Sequence, residues 1–519
     1  MSSIEDLNES DDDSNEIIIV YSSSESSRSS ENSADRIYAS GDSSDINNNC
    51  SDQGFHSMVA IDSDDENDEH EKKKKWSELP SLAIENIYSF LSRTDQSRMS
   101  LVCSRWANVY GSPCIWKTIK FYLPEHDYSA EIYPEVKFVR KYGSMFRHVE
   151  IICKRTRNQM LGIIWRQLKL FLQGLMSQSQ LESIKFINMG NYFRHLDDFI
   201  RSDVIRALNN FFESQGNLKN VVFHDSRFHK EEGMELLNSI YQFNKATLRK
   251  LVLRGFVNDL DYNEVSNNYL LNLSTVCGMF ATVQILEVDY CQILEDILRC
   301  FGEQISEGIH RIDKKKHHKP FVNMYCEGMK YARYQGISPS CWKLFANTFP
   351  DPRIMVDITV HSHLRNEMGM FLIKEIPLKM LDFRYEKSYL SPRTDITTLF
   401  NHFLYCNYHN HLEIVNILWM PPITDFAGAV VPFLQACKKI QIFHLHTQYT
   451  SNGIEDVLKA MLENHPVSLK SITLWFNSAI NEEDEENLNV LSEQYYPLLE
   501  AQGIEIFLLL DPGRRLRRR

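Results

Sequence analysis

Apolar residues recur along most of the chain in one short pattern, an apolar position followed by two more at the third and fifth places after it. The pattern fits Phe146-Val149-Ile151, Leu181-Ile184-Phe186, Leu218-Val221-Phe223, Leu248-Leu251-Leu253 and Val283-Leu286-Val288. It resumes at Leu378-Leu381-Phe383, Leu412-Val415-Ile417, Ile440-Phe443-Leu445, Leu469-Ile472-Leu474 and Ile504-Phe507-Leu509. Successive starts lie roughly 28 to 37 residues apart, except between 283 and 378, where Val322-Met324 and Val356-Ile358 are weaker matches. A fixed motif at such a period predicts a strand-plus-helix repeat. The segment "DVIRALNNFFESQGNLKN" supports this, with Val204, Ile205, Leu208, Phe211 and Phe212 on one helical face and Gly216 before the next repeat.

Side chains alternate along a strand, so the pattern residues turn toward the helices and the residues between them toward the open side. The predicted fold class is α/β, a curved parallel sheet backed by helices over 122–511. A non-repetitive α/β domain with leucine-rich strands is the alternative. The repeats resemble leucine-rich repeats of the long, ribonuclease-inhibitor-like kind. Residues one step out of phase would form a concave binding face: Arg254, Glu287, Asp289, Asp382, Arg384, His444, His446 and Trp475. These are mostly polar with one aromatic anchor, a composition suited to a protein partner more than to a small molecule.

Ahead of the repeats, residues 76–121 predict three short helices. Pro80 opens the first, and Ile84, Ile87, Tyr88 and Leu91 form its apolar stripe. Asp95 is placed to cap a second helix carrying Met99, Leu101 and Val102; a third carries Cys103, Trp106 and Val109 and ends near Gly111. About forty residues cannot enclose this much bulk, so part of it is expected to meet a partner. Leu79-Pro80, Ile84, Ile87, Leu91, Asp95, Val102-Cys103-Ser104-Arg105-Trp106 and Ile115-Trp116 resemble the F-box, with Leu82 where an acidic residue is common and Gln96 where Leu is usual. The resemblance implies docking on a Skp-type adaptor through Leu79, Pro80, Ile84, Ile87, Leu91, Val102, Trp106 and Trp116.

Charge changes the picture at both ends. Residues 1–71 hold 20 Asp or Glu against Arg28 and Arg36, whereas the whole chain of 519 residues carries a net charge of −13. The acidity therefore belongs to the N-terminal tail, 1–75, whose composition predicts disorder. Within it, Ile17, Ile18, Ile19 and Val20 lie between carboxylates and serines. Such a stretch can add as a strand to a partner's sheet edge while its anions meet a basic rim. It resembles a SUMO-interacting motif, and Val59 to Glu66 looks like a weaker second copy. "RRLRRR" in the basic tail 512–519, like "KKKK" at 72–75, reads as a nuclear-import signal, a contact with the acidic tail or a phosphate-binding run.

No phosphate-binding glycine loop, nucleophile elbow or metalloprotease motif is present in the sequence. "DKKKHHKP" is rich in histidine, but its lysines would repel a cation; His444 and His446, two apart on a strand, have no third ligand nearby. No cofactor and no metal are expected. Eleven cysteines, an odd number without a C-x-x-C pair, fit reduced thiols, and the acidic N-terminus is unlike a secretory signal. These features suggest a cytoplasmic or nuclear protein with no membrane span. The F-box resemblance implies the non-catalytic substrate receptor of an SCF-type cullin–RING ubiquitin ligase, with an unidentified protein held by the repeats. A non-degradative F-box scaffold and a repeat scaffold for nucleic acid are the alternatives. A peptide spanning residues 11–30 is expected to bind SUMO, more tightly when Ser22 to Ser24 are phosphorylated, and replacing Ile17 to Val20 with Ala should abolish retention on immobilised SUMO.

Overall fold

The computed structural model describes residues 76–123, 134–154, 161–257 except 194, 283–290, 298, 321–327, 337–348, 352–360, 364–385, 395–477 except 451, and 482–510. The acidic tail with Ile17, Ile18, Ile19 and Val20, the histidine-lysine loop near 313–320 and the basic C-terminal run lie outside them. The chain divides into two compact units, one ending at Ile115 and the other beginning at Trp116.

The first unit holds helices α1 (Ser81–Ser89), α2 (Arg93–Met99) and α3 (Ser104–Tyr110), with the short α4 (Pro113–Trp116) at its end. Pro80 stands at the cap of α1, and its carbonyl accepts from the amides of Ala83 and Ile84 at 2.9 and 3.1 Å. The cap of α2 differs from the sequence expectation: Ser92, not Asp95, is the capping residue. The Ser92 hydroxyl accepts from the Asp95 amide at 3.2 Å and donates to the Asp95 carboxylate at 2.7 Å, so Asp95 supports the cap from within the first turn. α2 stops at Met99, which leaves Leu101 and Val102 in an exposed turn rather than on the helix.

Among the described residues, the second unit contains thirteen parallel strands that pair strictly in chain order. They are β1 (Thr118–Leu123), β2 (His148–Cys153), β3 (Ser183–Ile187), β4 (Asn220–His224), β5 (Lys250–Arg254), β6 (Ile285–Asp289), β7 (Phe321–Glu327), β8 (Arg353–Val360), β9 (Leu378–Tyr385), β10 (Ile414–Trp419), β11 (Ile442–Gln448), β12 (Ser471–Asn477) and β13 (Glu505–Leu510). Parallel neighbours require long crossovers, and among the described residues helices supply them. They are α5 (Pro134–Tyr142), α6 (Leu161–Gln178), α7 (Gly190–Phe193), α8 (Asp198–Ser214), α9 (Lys230–Asn244), α10 (Pro339–Thr348), α11 (Leu364–Phe371), α12 (Ile396–Tyr405), α13 (Phe426–Ala436), α14 (Ile454–Glu463) and α15 (Glu482–Glu500). Strands β7 and β8 stand at the two weaker matches, Val322-Met324 and Val356-Ile358.

Nine of the ten apolar motifs point inward as the alternation requires, their residues buried against the helices. The tenth is corrected. Ile506 is the inward residue of β13, while Phe507 and Leu509 are exposed on the open face beside Thr473 and Trp475. The cause is local: β13 is apolar on both faces, so hydrophobicity alone does not fix its phase.

Around β3 to β5, ring contacts tie neighbouring repeats together and side-chain amides close each repeat on itself. Aromatic rings pack across the core, Phe186 stacked on Phe223 at 5.2 Å and Phe223 tilted against Phe256 at 5.1 Å between centroids. Side-chain amides at helix ends satisfy backbone donors of the preceding motif: Gln215 accepts from the Leu181 amide at 2.9 Å, and Asn244 from the Leu218 amide at 3.0 Å. Both residues are buried, so each bond satisfies a donor that water cannot reach. Truncating Phe223 to Ala is expected to destabilise the repeats by about 3–5 kcal/mol, read as a lower urea midpoint and faster amide exchange in β3 to β5.

Candidate functional site

Two surfaces stand out, one on each unit. In the first, Tyr88 and Trp106 form the core, with ring centroids 5.5 Å apart in edge-to-face contact. The Tyr88 hydroxyl donates to the Trp106 carbonyl at 3.0 Å, and burial pushes the phenol up to about 12. Gln96 explains its own departure from the usual Leu. It is 3% exposed, donates to the carbonyls of Tyr88 at 2.7 Å and Leu91 at 3.2 Å, and accepts from Arg93 at 2.6 Å. Arg93 in turn donates to the Ile115 carbonyl at 2.8 Å, so one buried amide links the ends of α1 and α2 to the exit of the unit.

The eight residues expected at the adaptor surface lie in different settings. Ile84 and Trp106 are buried within the first unit, because they fill the space between α1 and α3. Trp116 belongs to the second unit, buried against Phe138 and stacked on Tyr142 with centroids 4.8 Å apart. Pro80 and Val102 are exposed, and Leu79, Ile87 and Leu91 partly so. Trp76, Leu82, Phe90 and Leu101 are exposed apolar residues that the motif does not single out. Leu82, standing where an acid is common, enlarges the apolar surface.

On the second unit, the eight out-of-phase residues all lie on the open face, but they form two groups. The first surrounds a groove of about 580 Å³ lined by His224, Asp225, Arg227, Arg254, Asp289, Tyr325, Asp357, Thr359 and Arg384, among others. Arg384 pairs with Asp357 at 3.3 Å and Asp382 at 3.2 Å. The Arg254 guanidinium carbon lies over the Tyr325 ring, 3.7 Å from its centroid. The Tyr325 hydroxyl donates to Glu287 at 3.1 Å and accepts from Asn323 at 2.9 Å, and burial with the Glu287 charge raises it to about 12. Glu287 also pairs with Lys250 at 2.6 Å, while Asp289 accepts from the Gly255 amide. Gly255 has φ +56, and a Cβ there would meet Asp225 Cα at 2.9 Å, so only glycine fits beneath the groove.

The second group holds His444, His446 and Trp475, joined by Phe507 and Leu509. His446 stacks on Trp475 at 5.0 Å, and its Nε2 bonds to Asn477 at 2.6 Å, which orients the imidazole without any metal. Burial lowers the pKa of His444. Among the described residues no cluster of three potential metal ligands occurs. The repeat pattern does not single out Tyr325 and Asp357, which sit on strands within the irregular interval, and it misplaces Phe507 and Leu509 through the phase of β13. No helix among the described residues is long and apolar enough to cross a membrane.

Burial, then the neighbouring Arg254, lowers the pKa of His224 on β4, with Glu287 opposing. A histidine whose folded pKa lies below its unfolded value binds fewer protons when folded, so its contribution is complete above the unfolded value of about 6.5 and is lost as pH falls through that region. Imidazole resonances should show His224 titrating below ordinary histidines, and Arg254→Ala should move it upward.

Comparison with known proteins bears on both surfaces. The F-box domain family matches residues 76–118. F-box/LRR-repeat protein 21 of Bos taurus is 19% identical over 317 residues, 59% of this chain and 64% of that protein. The Mus musculus protein of the same name is 28% identical over 78 residues, 14% of this chain and 18% of that protein. The matches thus span less than two thirds of either relative. Among solved structures, the leucine-rich repeat-containing protein LegL7 of Legionella pneumophila aligns with 72% of this chain and 98% of its own at 12% identity and a TM-score of 0.33.

Proposed function

We propose that this chain, an F-box protein with leucine-rich repeats, is the substrate-recognition subunit of an SCF-type cullin–RING ubiquitin ligase. The observation that carries the reading is the pairing of an F-box domain at 76–118 with a thirteen-strand parallel repeat sheet whose open face is polar and grooved. The F-box domain implies a Skp-type adaptor as the partner of the first unit. The apolar groups available to that partner are Pro80, Leu82, Phe90, Leu101 and Val102, all exposed, with Leu79, Ile87 and Leu91 partly exposed.

In this reading the chain brings no reacting group of its own. A substrate held on the repeats has its lysines brought near a ubiquitin-charged conjugating enzyme carried by other subunits, and the rate gain is one of effective concentration. The open face around Arg254, Asp289, Asp382 and Arg384 holds the substrate, with the Trp475 group as a second contact. The ligase would act in the cytoplasm or nucleus, where the cysteines remain thiols.

The test separates docking from folding. Leu101→Asp with Val102→Asp alters only exposed side chains and should abolish copurification of adaptor and cullin while the helical circular dichroism signal stays unchanged, a loss equivalent to about 2 kcal/mol or more at a binding hot spot. Trp106→Ala should instead unfold the first unit, since Trp106 is its core. Arg384→Glu should leave cullin copurification intact and change the set of proteins that accumulates when the ligase is inhibited. Undiminished cullin binding by the double Asp variant would overturn the adaptor assignment.

A further inference from the structure

We propose that the outer edge of β13 is a homodimer interface, in which two copies of this chain pair antiparallel about a twofold axis through Leu508. β13 ends the strand order, and among the described residues no strand lies beyond it. Edge strands are normally protected by charge, proline or a polar cap. β13 instead reads Glu-Ile-Phe-Leu-Leu-Leu, with Phe507 42% and Leu509 40% exposed on the open face and Leu508 and Leu510 half-buried on the other.

The second copy is favoured over a foreign strand because the sequence is self-complementary in one register. A twofold axis perpendicular to the sheet keeps every residue on its own face, so opposed positions must have the same parity. Placing Leu508 opposite itself sets Phe507 against Leu509 and Ile506 against Leu510. Five consecutive apolar positions then each face an apolar residue. A shift by two residues sets Leu509 against Glu505 in one direction, and in the other leaves Ile506 and Phe507 without a partner on β13. Leu509 is also paired with Trp475 across β12, so the dimer joins Trp475, Leu509 and Phe507 of the partner subunit into one apolar belt on the open face. The interface uses each edge once and therefore closes without growing into a filament.

Light scattering on the purified full-length chain at micromolar concentration should give twice the 60.7 kDa chain mass. Phe507→Lys with Leu509→Lys changes only exposed side chains and should yield a monomer with unchanged circular dichroism. Leu508→Cys should cross-link to its own copy under mild oxidation above the wild-type background, whereas Leu510→Cys, opposed by Ile506, should not. A monomeric wild-type chain, a double-Lys variant that remains dimeric, or cross-linking at 510 and not 508 overturns the proposal. A chain ending at Leu510 that dimerises while the full chain does not also overturns it, assigning the edge to the chain's own basic tail.

Discussion

Parallel pairing between consecutive strands is the constraint on which the second unit depends. A parallel neighbour can be reached only through a crossover long enough to return the chain to the same end of the sheet, and among the described residues helices make that return. Helices that all pack on one side turn the inward-facing motif residues into core and leave the other side open. The strict order of thirteen strands therefore explains both the hydrophobic period and the polar face. It also makes each repeat a neighbour-dependent object. Phe223 touches rings from the repeats on both sides, while Gln215 and Asn244 tie the end of each helix back to the first amide of its own repeat. Stability in such an array is a sum of intrinsic and nearest-neighbour terms, so the end strands are the places where that sum is incomplete.

The first unit solves a different problem, that of a core too small for its apolar content. It buries Ile84, Tyr88, Trp106 and Val109 and leaves Leu82, Phe90, Leu101 and Val102 outside. The division is held by polar contacts as well as by packing. Gln96 uses both amide hydrogens and its carbonyl in the interior, where an unmatched polar group would cost roughly 1–3 kcal/mol. A leucine at that position would fill the space but release Arg93 and two helix-end carbonyls. The amide thus orders the turn between α1 and α2, next to the exposed residues that a partner would meet.

Period and polarity make much of this legible in the amino-acid sequence alone. Regular alternation determines the inward residues of nine motifs and, by exclusion, all eight residues assigned to the open face, because a strand has only two faces. Legibility fails where that argument loses its grip. β13 is apolar on both faces, so the motif places Phe507 and Leu509 inward; Trp106 and Ile84 carry the F-box pattern but are core, because a motif records which residues matter and not whether they matter to folding or to contact. The groove is invisible for another reason. It is built from ion pairs and one stacked guanidinium spanning β4 to β9, separations that no local window of sequence connects.

The charges in that groove are unequal in availability even though positive and negative groups are balanced in number. Arg384 is divided between Asp357 and Asp382, and Arg227 is paired with Asp225. Arg254 faces the ring of Tyr325, whose phenol is held by Glu287, and among the described residues no carboxylate lies within ion-pair distance of it. Stacking orders a guanidinium while leaving its N–H edges directed outward, so less entropy is lost when an acceptor arrives. An acidic group entering the groove would have to displace an existing partner at Arg384 or Arg227 but not at Arg254, where the new bond adds to the stacking instead of replacing a pair. On the proposed reading the ion pairs would act as a filter, leaving the groove nearly neutral at long range while an acceptor on the substrate would find its free guanidinium edge at Arg254.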